Sequence, residues 1–323
     1  MSDFPRILVA AAYFGCLPDT FPLWLTSCRF NPDIDWLVVT DAPTEVYDFP
    51  PNVHVHAMTM AAFAERLSEF AGVLTTFNTP YKACDYRPLY SCLTDMVPGR
   101  WDFWGHCDLD MLFGDVRRFL TPEILAANDK IFGVGHFTLY RNDDDTNQYY
   151  RRPHPDLDYR AILADPVHRA FDEHVGVNRI WKLHNGRFHE DETVLADIDP
   201  HIDRMVRTST YAKVENHSVQ VFCFDRGTVR RLYWAQGAVQ AQDFMYIHFQ
   251  KRRFDLAVPA AEVDRVYITP RGFLPMECAG EPDRALLMRL NPRPIFSHLR
   301  EISHRLRQQL RQARTRLKAE RAA

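Results

Sequence analysis

The feature that most constrains the fold is an alternation along roughly the first 110 residues, where short unbroken apolar runs are separated by segments with a helical period. "RILVAAAY" (6 to 13) is continuous and short, as a strand covered on both faces requires. "TFPLWLTSC" (20 to 28) follows with a helical pattern, and "DWLVVTD" (35 to 41) repeats the strand signal. "NVHVHAM" (52 to 58) alternates as a third strand, and "TMAAFAERLSEFAG" (59 to 72) is an amphipathic helix capped by Thr59 and stopped by Gly72. A further helix is expected from about Lys82 to Met96, before Pro98-Gly99, feeding the strand "RWDFWGHCD". This order predicts a doubly wound α/β fold, a mixed, mostly parallel sheet with helices on both faces.

The second half is less regular. "DKIFGVGHFTLYRN" (129 to 142) contains a strand and leads into a polar loop. Short helices are expected at 158 to 164, 166 to 175 and 191 to 197, and strands at 219 to 225, 229 to 234 and 244 to 249. The later strands need a surface to pack on, so one domain is expected through about residue 275, with 276–323 as an extension. With 46% hydrophobic residues in 323, such a core is affordable. Seven scattered cysteines without a CxxC pair argue against a disulfide framework or a zinc site and fit a reducing, cytoplasmic compartment. The N-terminal apolar stretch is unlike a signal peptide, and no run approaches the roughly 20 apolar residues that span a bilayer.

In such sheets ligands bind beyond the carboxyl ends of the strands. "WGHCDLDMLFGDV" (104 to 116) sets Asp108 and Asp110 at that edge. At a strand period of two both carboxylates point the same way and repel unless a cation answers them. A loop start is the alternative, since Asp favours turns and Gly114-Asp115 follows. No GxxxxGK[ST], GxGxxG after the first strand, HExxH or GxSxG is present, which removes the usual nucleotide, zinc-peptidase and esterase signatures.

The same stretch resembles the DXD segment of GT-A glycosyltransferases, the nucleotide-diphospho-sugar transferase superfamily, especially its glycogenin-like and DXD-sugar-transferase families of bacterial polysaccharide biosynthesis. Three further stretches match in order. "YKACDYRPLY" (81 to 90) is similar to their Lys/Arg-x-x-Asp-x-x-Arg helix, although Arg87 here comes two residues after Asp85. "FHEDETVL" (188 to 195) resembles their acidic helix start, and "YIHFQKRRF" (246 to 254) their late His-x-x-x-Lys segment.

The resemblance implies a GT-A fold, with a nucleotide-binding half (1–115) and an acceptor-side half (116–275), and transfer of a sugar from a nucleotide-diphosphate donor, UDP-linked by preference, to a cell-surface polysaccharide or lipid-linked glycan. It implies Mn²⁺ (or Mg²⁺) held by Asp110, by Asp108 reaching the metal or the ribose, and by His248; imidazole favours Mn²⁺. Taken alone, a His at a strand end also reads as structural. Lys251 is implied as a diphosphate clamp, and Lys82, Asp85 and Arg87 as donor-site residues, against the alternative of an exposed, charge-paired helix start. Tyr13 and Asp41, at the ends of the first two strands, are candidates for base and ribose. Asp191 is chosen as the carboxylate beside the transferred sugar, retention being implied, whereas an inverting enzyme would use it as a base. His136, Arg141 and Asn142, with Tyr149, Tyr150 and Trp181 as stacking rings, are expected on the acceptor side. Two other readings stand beside this one: a haloacid-dehalogenase-type phosphohydrolase using Asp108 and Asp110, and a non-catalytic glycan-binding module.

The C-terminus is a separate feature. Arg300 to Arg321 carries eight basic residues and two acids, a net of +6 that leaves −9 elsewhere. Leu299, Ile302, Leu306, Leu310, Ala313 and Leu317 follow a helical stripe. A basic amphipathic helix over 298–323 suits an anionic membrane surface, placing the protein peripherally on the inner face of the plasma membrane; a partner-binding helix is the alternative. Nucleic acid is disfavoured because no aromatics interleave the arginines.

Overall fold

The apolar run at the start of the chain becomes strand β1 (Ile7–Tyr13), whose first five residues are buried in the computed structural model of the protein. That structure describes residues 4–209, 212–250, 252, 254, 264–278 and 281–292. The chain divides into two compact units, Met1–Leu109 with Arg117–Asp191, and Asp110–Val116 with Glu192–Ala323.

In the first unit β1 pairs in parallel with β2 (Ile34–Thr40) and β4 (Phe103–Cys107), and β2 with β3 (Val53–Ala57). The sheet continues through an antiparallel hairpin, β6 (Lys130–Val134) and β7 (Phe137–Arg141), to the short β8 (Phe188–His189), in the order β3-β2-β1-β4-β7-β6-β8. Four of its six strand pairs are parallel, so the expected mixed, mostly parallel α/β sheet is present.

Helices cover it from two sides because successive strand residues face opposite ways. Helix α1 (Phe21–Arg29) sets Trp24 edge-on against Trp36 of β2, ring centres 5.6 Å apart. Helix α2 (Met60–Ala71) joins the core shared by Leu8, Ala10, Leu37 and Val39 through Phe63, Leu67 and Ala71, spaced four apart. Its ends follow the sequence reading: the Thr59 side chain accepts from the Ala62 N–H, and Gly72 closes the helix at φ 64°.

Three expected helices differ. The one expected at Lys82 to Met96 is a 3-10 helix, Pro80–Met96, with Pro88 inside it. Pro88 has no N–H, and in an α-helix its ring would meet the carbonyl four residues back. Over 166 to 175 the chain is irregular, because the N–H groups of Arg169 and Phe171 are donated to the Asp85 carboxylate rather than to a helix. Residues 191 to 197 form a single 3-10 turn (Glu192–Val194) and then strand β9 (Leu195–Asp197).

The second unit contains two sheets. In one, β13 (Tyr246–His248) lies between β5 (Met111–Phe113) and β9, antiparallel to the first and parallel to the second. The other is antiparallel, ordered β12 (Ala238–Phe244), β11 (Thr228–Ala235), β10 (Gln220–Asp225), β14 (Arg265–Thr269), β15 (Gly272–Pro275). The β10–β11 and β11–β12 hairpins turn through Arg226-Gly227 and Gln236-Gly237, all four residues at positive φ, as type I′ hairpin turns require. Strand β12, with three polar residues among seven and partly exposed, was not expected from the sequence. Among the described residues no helix is long and apolar enough to cross a membrane. The 298–323 segment lies outside the described residues.

Candidate active site

The Asp108-Leu109-Asp110 segment is a bend between β4 and β5, so the period-two reasoning does not apply to it. Its two aspartates, one residue apart in the chain, belong to different units: Asp108 to a segment of the first that ends at Leu109, and Asp110 to the segment of the second that it opens.

In the second unit the ladder of β5, β13 and β9 creates the site. His248 pairs with Met111 on one side and with Asp197 on the other, and the Phe249 N–H donates to the Asp110 carbonyl at 2.9 Å. Asp110, His248 and Asp197 therefore stand side by side at one end of the sheet. His248 Nδ1 lies 2.8 Å from Asp197 Oδ1, and Nε2 lies 3.3 Å from Asp110 Oδ1. The Gln250 amide donates to both Asp197 oxygens, at 2.9 and 3.0 Å. The imidazole is 9% exposed, while the Asp110 and Asp197 side chains are 26% and 22% exposed, so the site is reachable at its rim.

This donor set fits a cation. If neutral His248 donates Nδ1–H to Asp197, Nε2 presents a lone pair to a carboxylate oxygen. Two acceptors at that separation attract each other only through a proton or a metal ion between them. Adjacent ligands, each about 2.1 Å from one octahedral ion, stand about 3 Å apart, close to the observed separation.

In the first unit the carboxyl ends of β1, β2 and β4 carry Tyr13, Asp41 and Asp108. Asp41 accepts the Gly15 N–H at 2.7 Å and fixes the loop after β1. Asp108 receives the Arg87 guanidinium, which also donates to the Gly135 carbonyl and, at 2.9 Å, to Asp172. Arg87 is raised well above its ordinary pKa: burial opposes its charge, but Asp108 and Asp172 outweigh that. Burial pushes the Asp172 carboxyl up to about 7, against the pull of Arg87 and with Glu173 adding to it. A Cβ at Gly135 would meet Glu173 Oε1 at 2.8 Å and Asp172 Oδ2 at 3.2 Å, so glycine lets these carboxylates approach the backbone.

Several expectations are corrected by placement. Lys82 and Asp85 do not form an exposed helix start: both side chains are 0% exposed and paired at 2.7 Å. Lys82 also donates to the Ile162 and Val167 carbonyls, so the pair clamps the 162–171 loop and offers no face to a donor. Tyr149 stacks on Trp181 at 3.8 Å, and these two with Tyr150 are buried core rather than sugar platforms. Arg141 binds Asp129 and the carbonyls of Leu125, Ala126 and Asn128, and Asn142 binds the Trp101 carbonyl. His136 gives its carbonyl to the Asp108 N–H. Asp191 is half-buried just before the 3-10 turn, next to Glu190, which pairs with Lys182 at 3.0 Å. Lys251 lies outside the described residues.

Sequence reasoning missed Asp197, Gln250 and Asp172. Gln250 lies inside the matched "YIHFQKRRF", whereas Asp197 and Asp172 sit in stretches expected to be helical and carry no local motif.

A family model described as a family of unknown function, DUF6625, matches residues 9–277. No curated protein matches the chain. Among solved structures, the apo form of mouse xyloside xylosyltransferase 1 is similar at 12% identity over 60% of this chain and 88% of that one, with a TM-score of 0.35. The galactosyltransferase LgtC, in complex with donor and acceptor sugar analogues, is similar at 11% identity over 59% and 75%, with a TM-score of 0.32. At such scores the site is read from its own residues.

Proposed function

The chain belongs to DUF6625, a family of unknown function, and from its residues we propose that it is a metal-dependent GT-A glycosyltransferase. It moves a sugar from a nucleotide-diphosphate donor, UDP-linked by preference, to a cell-surface polysaccharide or lipid-linked glycan. The observation that carries this reading is the His248 imidazole held between Asp110 and Asp197, with its Nε2 facing a carboxylate. The ordered resemblance of four motifs to GT-A enzymes supports it.

Asp110 and His248 are the ligands for Mn²⁺ (or Mg²⁺), and Asp108, two positions earlier in the chain, serves the metal or a donor hydroxyl. When bound, the ion neutralises the donor diphosphate and the charge developing on the leaving nucleotide. Arg87 fixes the Asp108 carboxylate, leaving it little to reorganise during turnover. Tyr13 and Asp41, at strand ends where open α/β sheets take ligands, hold the base and ribose. Asp191 orients the transferred sugar and stabilises its positive charge, with retention of configuration. Lys251 is assigned to the departing diphosphate, and 298–323 to an anionic membrane surface, on sequence alone.

The test is thermal unfolding with UDP and UDP-sugars, with Mn²⁺ or with a chelator. A donor at 100 times its dissociation constant stabilises by about 2.7 kcal/mol. That gain should require Mn²⁺ and vanish in Asp110→Asn, whose apoprotein should melt no lower, because one of two carboxylates beside His248 loses its charge. Equal stabilisation in the chelator, or in Asp110→Asn, refutes the reading.

A further inference from the structure

Asp197 belongs to no motif in the chain, yet its Oδ1 lies 2.8 Å from His248 Nδ1. We infer that Asp197 is the positioning residue of the metal site: it accepts the Nδ1 proton of His248 and so commits Nε2, the nitrogen facing Asp110, to the cation. The inference rests on the proposed metal reading and adds to it a residue, and a role, that the motifs do not contain.

Neutral imidazole has two tautomers, and only the one protonated at Nδ1 leaves Nε2 able to ligate. A carboxylate at Nδ1 selects that tautomer, fixes the ring plane and makes the ligating nitrogen more basic. The backbone supplies the required placement, since His248 and Asp197 are register partners of adjacent parallel strands although 51 residues apart in sequence.

Gln250 is a second, independent sign. Its backbone is left-handed, at φ 56°, although it carries a Cβ. Such a conformation is unfavourable for a residue with a Cβ and persists where the surroundings enforce it. It brings the side-chain amide to both oxygens of Asp197. Gln250 thereby holds both oxygens of the carboxylate, one of which, Oδ1, also meets His248 Nδ1. A carboxylate kept only to close the end of the sheet would not need this orientation toward the imidazole.

The experiment titrates metal-free full-length protein with Mn²⁺ alone, by calorimetry, and records the melting temperature without metal. Four proteins are compared: wild type, Asp110→Asn, Asp197→Ala and Asp197→Asn. Removing an outer partner of a metal-bound His typically costs 10–100-fold in affinity, and Asp197→Ala is expected in that range. Asp197→Asn keeps an oxygen for the Nδ1–H but loses the charge, so it should fall between Asp197→Ala and wild type. Both should melt close to wild type without metal, which separates positioning from a general structural role. If Asp197→Ala does not fold, Asp197→Asn decides alone, and a weakened affinity at unchanged melting temperature supports the inference. If wild type binds Mn²⁺, Asp110→Asn does not, and both Asp197 variants bind as wild type does, the inference is overturned while the metal reading survives. If wild type fails to bind Mn²⁺, both are overturned.

Discussion

Lys82→Met separates the two roles that its motif allows. The methionine keeps most of the stem's volume and removes the ammonium, which sits 2.7 Å from Asp85 with both side chains 0% exposed. Both backbone donors to the carboxylate survive, the N–H groups of Arg169 and Phe171, each at 2.8 Å, and His168 Nε2 stands 3.6 Å from it. The carbonyls of Ile162 and Val167 lose the donor they share. Removing one partner of a buried pair leaves a charge without compensation and costs about 3–5 kcal/mol. For a unit of this size each kcal/mol lowers the melting temperature by roughly 2–4 °C, so a fall of about 6–20 °C is expected. Adding Asp85→Asn removes the stranded charge and should recover part of the loss, a coupling that distant, independent sites do not show. The assays are scanning fluorimetry and urea unfolding on both variants, with nucleotide affinity measured on the folded fraction. A fall of less than about 2 °C, the equivalent of under 1 kcal/mol, together with lost nucleotide binding would refute the structural assignment and return Lys82 to the donor site.

Asp172 makes a pH prediction. Its carboxyl titrates near 7 in the folded protein against an ordinary 3.8, so between about pH 4 and pH 7 the unfolded chain has lost this proton and the native state retains it. Its contribution to stability therefore falls as pH rises through that window and is level above it; Asp172→Asn should flatten the decline of the urea midpoint between pH 5 and pH 7, and an unchanged slope would contradict the assignment. Asp191→Asn should bind a UDP-sugar nearly as wild type does while losing turnover, because its proposed role lies at the reacting carbon; normal turnover in a steady-state assay would remove it from the site. Deleting 298–323 should spare turnover on a soluble acceptor analogue and abolish salt-sensitive co-sedimentation with anionic vesicles, since surface attraction is screened over about 8 Å at physiological salt. Equal binding to neutral vesicles would favour the partner-binding helix instead.

What the sequence determined by itself is what short-range pattern can encode. The runs at β1 and β2 are unbroken because a strand covered on both faces has no polar side, and α2 is bounded by its own cap and its own glycine. The placing of Asp41 and Asp108 just beyond strand ends follows from the same local reading. The tertiary structure decided everything that depends on a partner far along the chain. Asp197 acquires a role only because β9 pairs with β13, and its helix-like acidic surroundings point the other way until that pairing forms. Lys82 and Asp85 read as donor-site residues, or else as an exposed charge pair, until residues 162–171 fold over them and donate two backbone N–H groups to the carboxylate. Trp181 reads as a sugar platform until Tyr149 stacks on it in the core. In each case the local period fixes which face a residue takes, whereas long-range strand pairing and loop packing fix what that face meets, and no windowed pattern contains that information.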